Sequence, residues 1–372
     1  MLRNKYLLAI ALLMSVSIYS VCNLCEPLLS KLSEEKKMAH QHMHHHKMMN
    51  ASDHAPIGIM GEMHHSKFML SLRQEFMHMN GNLLNGNDIS DHEIINLPNT
   101  VSSMPANLSV VPKEMNMQMT MLGGMYSPSS NITLMAMAMY MSKSMDLKTF
   151  KPMMNREFIG KFKTSSSDLS DLSLSLLYRL NKGMSSRWHF ETGLQQSVGE
   201  NISKDTVLTP MNKRMDMILP YGMQPGDDST SLIVGLTNVR TLKSGIIWGN
   251  QIRSKAVISD KQWSFGDKEE FNSWLQMPLS RAVSVSSRLN VIHQDKISGR
   301  NISISAPVQT ADPGNYGGLN VYFAMGVNLL TTIFSSDNHR FGLEVIFPID
   351  QDANNLQMKT DYKVIFGYQK SL

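Results

Sequence analysis

The sequence predicts an all-β protein, a closed antiparallel transmembrane β-barrel of about 12 strands with a flexible N-terminal segment ahead of it. Three observations carry that expectation. The chain opens on an export-type leader, stretches of ~10 residues alternate apolar and polar side chains from Lys67 onward, and the connections between them alternate between long and short.

In the leader, Arg3 and Lys5 precede an apolar run from Tyr6 to Val21, a charged stretch followed by a hydrophobic one. The run is short for a spanning helix and a polar stretch follows it, so cleavage is the expectation, after Ser20 or Cys22. The chain then divides into a signal peptide (1–22), a flexible His- and Met-rich periplasmic segment (23–65) and the barrel (66–372). The two cysteines, Cys22 and Cys25, sit at the leader boundary and leave the barrel to fold without a disulfide. A formal net charge of +4, evenly spread, gives no basis for nucleic-acid binding.

Alternation places strands near 67–79, 113–126, 131–142, 168–180, 186–197, 231–240, 245–257, 267–277, 282–293, 318–330, 339–347 and 360–369. In the last of these Tyr362, Val364, Phe366 and Tyr368 form an oily face. Long connections (80–112, 143–167, 198–230, 258–266, 294–317, 348–359) alternate with short ones (127–130, 181–185, 241–244, 278–281, 331–338). An even-stranded outer-membrane barrel has short periplasmic turns and long outer loops, whereas a soluble β-sandwich predicts no such alternation. The Gram-negative outer membrane is therefore the expected location, with outer-membrane lipid and the barrel-assembly machinery as partners. The chain ends Gln369, Lys370, Ser371, Leu372, without a terminal aromatic.

Alternation also nominates the residues lining the lumen: Arg73, Glu75, Arg179, Arg187, Glu191, Arg253, Lys255, Arg288, Arg340, Glu344, Asp361 and Lys363. The basic surplus would favour anions in an open pore, while pairing of opposite charges would plug a small barrel. Methionine occurs 32 times, and Met115, Met117, Met119 and Met121 alternate with Asn116, Gln118 and Thr120. The polar set should face the lumen and these methionines the lipid. In the next row, Met135, Met137, Met139 and Met141 alternate with Leu134, Ala136, Ala138 and Tyr140, which leaves the parity open. A lumen-facing row would form a soft-ligand track beside Met69, Met77 and Met79, and packed or lipid-facing methionine is the blander reading.

The other regional enrichment is His40, His42, Met43, His44, His45, His46, Met48, Met49, His54, His64 and His65. Imidazole suits Cu(II), Zn and Ni and thioether suits Cu(I), so a mixed tract nominates copper as a bound ion, with no cofactor otherwise required. The alternative is a solvated linker. Asp88, Asp91, His92 and Glu93 form a lesser candidate cation cluster, where plain turn chemistry is the competing account. An enzyme is not expected, because G-x-S-x-G, H-E-x-x-H and P-loop patterns are absent; His293 with nearby serines is the one arrangement that a lipid hydrolase could use.

Four stretches carry a resemblance: 54–65 (HAPIGIMGEMHH), 114–143 (EMNMQMTMLGGMYSPSSNITLMAMAMYMSK), 208–223 (LTPMNKRMDMILPYGM) and 306–318 (APVQTADPGNYGG). From His54 to the C-terminus the chain resembles a family of Gram-negative outer-membrane barrels labelled transporters of unassigned substrate, akin to the phenol-degradation MetA-like barrels. The resemblance implies a porin-like barrel that passes a small solute. A non-conducting structural or adhesive barrel is the alternative.

Overall fold

Twelve strands close into one antiparallel barrel in the computed structural model, which describes residues 50–62, 67–152, 156–181, 183, 186–334 and 336–372. In chain order they are β1 (Phe68–Leu84), β2 (Val110–Ser129), β3 (Ile132–Phe150), β4 (Phe158–Arg179), β5 (Ser186–Ser197) and β6 (Thr230–Thr241). The second half contains β7 (Ile247–Ser259), β8 (Lys268–Pro278), β9 (Val283–Gln294), β10 (Gly318–Ile333), β11 (Ser336–Ala353) and β12 (Leu356–Ser371). Each pairs with its neighbours in sequence, and β1 returns to β12 from Met69 opposite Ser371 to Leu84 opposite Leu356. Closure matters because an unpaired backbone N–H or C=O has no water to turn to in hydrocarbon.

All twelve expected strands are present, and several run further at the long-loop end than alternation marks. The connection expected at 348–359 shrinks to Asn354 and Asn355, a two-residue turn in which Asn355 takes a positive φ of 51°. The connection expected at 143–167 shrinks to 151–157. The added residues include Asp350, Gln351, Asp352 and Lys359, polar side chains that interrupt the oily outer face and so blur two-residue alternation.

Outward side chains form an apolar band: Leu70, Leu72 and Phe76 on β1, Leu122 on β2, Leu172 and Leu174 on β4, Leu194 on β5 and Ile252 on β7 are all exposed. So continuous an exposed apolar surface is stable against lipid and not against water. At the long-loop end the connections 198–229, 260–267 and 295–317 fold over the mouth. Their Leu219, Tyr221, Met223, Trp263, Ile297 and Ile304 pack on Met115, Met145 and Phe162 of the strand ends as one buried cluster. The Tyr316 hydroxyl ties this cap together, accepting from Gly222 N at 2.7 Å and donating to Thr310 O at 2.7 Å.

Leu174 lies within the band and is 62% exposed. Leu174→Arg should cost about 2–4 kcal/mol in the unfolding free energy measured from lipid bilayers, the penalty for a cation at the midplane. A loss of under about 0.5 kcal/mol would mean that this face meets water.

Candidate functional site

Residues 50–62, assigned from the sequence to the segment ahead of the barrel, lie inside it. The segment enters beside the short β8–β9 connection, where Ala51 N donates to Arg281 O at 2.8 Å, and turns back on itself with Ile59 N donating to Pro56 O at 3.0 Å. Glu62 Oε1 accepts from Ala55 N at 2.8 Å, so the two arms of the turn are clasped. Ile57 and Ile59 are 1% exposed. Ile57 lies over the wall at Gly342 and Gly367, where an added Cβ would come within 2.7 and 2.5 Å of it.

The barrel wall holds this plug chiefly by its backbone. Arg73 Nη1 donates to Ile59 O at 3.0 Å, Gln251 Nε2 to Met60 O at 2.7 Å, and Asn328 Nδ2 to His54 O and Ala55 O at 3.3 and 3.4 Å. Arg340 Nη2 also donates to Ala55 O, and His189 Nε2 is 2.8 Å from Gly61 O. In the other direction Gly58 N donates to Glu344 Oε2 at 2.9 Å. Gly58 is required here because a Cβ would stand 2.2 Å from Glu344 Oε2 and 2.5 Å from Arg288 Nη2. Gly61 has φ +69° and lies as close to Glu191, so it meets both the conformational and the steric demand.

Two ion pairs brace the surrounding wall. Arg288 donates from Nε and Nη2 to both oxygens of Glu344 at 2.8 and 3.0 Å, and from Nη1 to Asn272 Oδ1 at 2.7 Å. Arg253 pairs with Glu191 through Nε at 3.0 Å and Nη2 at 3.2 Å. Lys363 Nζ lies 4.1 Å from the centre of the Tyr322 ring, a cation–π contact. Glu75 is in register with the inward residues Met119 and Ile365, and Lys255 with buried Ile233. Arg179 and Arg187 share the inward parity of buried Leu177 and His189 near the short-turn end.

Asp361 departs from this set. A register shift between His78 and Met79 sets both Asp361 and Tyr362 opposite His78, and the Asp361 carboxylate lies 3.6 Å from His78 Nε2 on the outer face. A bulge of this kind reverses the parity that alternation assumes.

The methionine rows are a second correction. Met115, Met117, Met119 and Met121 stand in register with inward Met79, Met77, Glu75 and Arg73, so they face the lumen and not the lipid. Their polar neighbours face out and satisfy one another: Thr120 Oγ1 donates to Gln74 Oε1 at 2.6 Å, and Asn116 Oδ1 is 2.9 Å from His78 Nδ1. Across β3 the register continues Met125–Met135, Met121–Met139, Met119–Met141 and Met115–Met145, all inward, while Leu134 and Tyr140 are exposed.

Of the metal candidates, His54 is buried in the plug, whereas His40, His42, Met43, His44, His45, His46, Met48, Met49, His64 and His65 lie outside the described residues, as does the signal peptide. Among the described residues no group of three or more His, Cys, Asp or Glu could hold a metal ion. The acidic cluster serves the loop instead. Asp91 takes Lys113 and Lys148, Asp88 takes Lys359 at 2.8 Å, and Glu93 exchanges hydrogen bonds with Ser90 at the start of the Asp91–Ile94 helix. Burial works to raise the Asp91 carboxyl, but the two lysines outweigh it and hold it below the usual carboxylate range. His293 Nδ1 is 3.9 Å from Glu269, and among the described residues no serine hydroxyl is hydrogen-bonded to it.

No family model and no curated protein matches the sequence. In fold, the chain is similar to an outer membrane channel from Pseudomonas putida F1, with a TM-score of 0.51 and 10% identity over 85% of this chain and 99% of the other. The likeness is one of fold. Also similar, at lower TM-scores of 0.40 and 0.39, are the translocator domain of autotransporter NalP from Neisseria meningitidis (9% identity, 84% and 90% covered) and a Pseudomonas aeruginosa FadL homologue (8% identity, 82% and 89% covered).

Glu344 serves both wall and plug. Glu344→Ala leaves Arg288 buried without its counter-charge and Gly58 N without its acceptor, and should cost about 3–5 kcal/mol of unfolding free energy. Hydrogen exchange at the Gly58 amide should rise in the same variant. Unchanged exchange there would separate the plug from the ion pair.

Proposed function

We propose that this chain is an outer-membrane channel for a small solute, held shut by residues 50–62. The observation that carries the reading is the manner of closure. The lumen is filled by a separate segment gripped through its carbonyls, as a ligand would be, from β1, β5, β7, β10 and β11. A barrel built only as a scaffold has no need of such a device, since side chains alone can fill a small interior. The apolar outer band and the alternation of connections support an outer-membrane setting, and the channel from Pseudomonas putida with a similar fold accords with it. The His- and Met-rich tract from Met38 to Met49, ahead of the plug, adds metal handling to the reading, as a periplasmic collector of copper by imidazole and thioether.

With the plug in place Arg73 and Arg340 are engaged by plug carbonyls; once it leaves, they add to a basic lumen. In planar bilayers the intact protein should conduct little. Deletion of 51–62 should raise conductance several-fold with preference for anions, and Lys255→Glu in that background should weaken the preference. No current from either protein would favour the structural or adhesive reading. Orientation is tested separately: in intact cells Ser102→Cys, in a long connection, should accept an impermeant thiol reagent, while Ser129→Cys, at a short turn, should not. The reverse pattern would invert the barrel.

A further inference from the structure

Between the plug and the wall of β1, β2 and β3 lies a cavity with about 20 Å³ of space, whose lining includes six methionines, Met60 from the plug, Met69 from β1, Met121 and Met125 from β2, and Met135 and Met137 from β3, together with Ser71, Arg73 and Gln369. That volume admits one water-sized species and nothing as large as an organic solute. Water is a poor occupant, because the polar groups of the lining are already engaged, Gln369 with Ser71 and Arg340 and Arg73 with Ile59 O, and the remaining sulfur is a weak acceptor. Methionine is also an unexpected choice if filling space were the whole purpose. Its three rotatable bonds let it close irregular gaps, yet here six line one that stays open.

The cavity wall contains no carboxylate and one cation, Arg73, whose Nη1 is 2.6 Å from Met60 Sδ. A guanidinium at that place repels a divalent ion twice as strongly as a monovalent one. Neutral sulfur donors without oxygen anions select soft ions and reject hard ones. Above the cavity the in-register pairs Met121–Met139 and Met119–Met141 follow on the same wall; Met117 then faces buried Lys143, and the next pair, Met115–Met145, belongs to the apolar cap at the mouth. Directly opposed side chains on paired strands are close enough for two sulfurs to converge on one ion.

We infer that this cavity binds a soft monovalent cation, Cu(I) or Ag(I), through thioether sulfur, and that the pairs Met121–Met139 and Met119–Met141 above it extend the site as far as Lys143. The binding site stands on the cavity alone; its use as a path rests on the channel reading.

The test uses full-length protein with ¹³C-methyl methionine in detergent micelles, titrated with Ag(I), which needs no reductant. Beyond the silver that saturates the His/Met tract, the methyl resonances of Met121, Met125 and Met135 should move, while those of Met104 and Met211, exposed in the loops, should not. Zn(II) should leave all five in place. The volume-conserving triple variant Met121→Leu, Met125→Leu, Met135→Leu should bind silver at the wall at least about tenfold more weakly. Met121→Leu alone serves should the triple variant fail to fold. Unmoved wall methyls at saturating silver would overturn the site, as would equal movement of Met104 and Met211, and movement with Zn(II) would overturn the soft-ion assignment. Silver flux into liposomes through the 51–62 deletion is scored separately: absent flux with intact methyl shifts sinks the path but leaves the site, while the channel reading stands or falls on the conductance of the same deletion.

Discussion

Every feature of this molecule depends on the seam where β1 meets β12. Because strand side chains alternate with period two, the register at the seam decides which residues meet lipid and which meet the lumen, and a slip of one residue would exchange the two sets. With Leu72 paired to Tyr368 and Arg73 to Gly367, the leucine goes out and the arginine goes in. The same register brings Gly367 under Ile57 and gives the plug its bed. Closure thus sets the membrane face, the charged interior and the fit of the plug at once.

The plug and the charged wall explain each other energetically. A buried guanidinium is costly unless its donors are met, and Arg340 meets Gln369 and Asn328 on the wall but also needs Ala55 O from the plug. Arg73 likewise spends its donors on Ile59 O and Met60 Sδ. Conversely the plug has few backbone bonds within itself, so its carbonyls would be unsatisfied in a dry barrel without those side chains. Either the plug is bound or water must replace it.

The twelve strands were legible in the sequence because one face of each is oily, and the run 186–197 coincides with β5 to the residue. Legibility failed where chemistry does not announce a side. Methionine is neither lipid-like enough nor polar enough to fix parity, so the row from Met115 to Met121 could be placed only by its pairing with Arg73 and its neighbours. The bulge at Asp361 left no trace in composition, since a single extra residue alters phase without altering content. The segment 50–62 reads as a linker because Pro56, Gly58 and Gly61 break any periodicity. The signal that could have found it is the pair Ile57 and Ile59, apolar residues on either side of Gly58, in a stretch rich in turn formers.

The plug is part of the same chain as the barrel, separated from β1 only by the residues between Glu62 and Phe68. A segment so tethered never dilutes: once displaced, it remains at an effective concentration on the order of millimolar beside its own site. Rebinding of the segment is therefore a unimolecular event whose rate does not vary with expression level, and a detached peptide of the same sequence would compete poorly with it. On the channel reading the barrel carries its own stopper on a leash, and opening it would require a continuing force or a competing ligand rather than a single release.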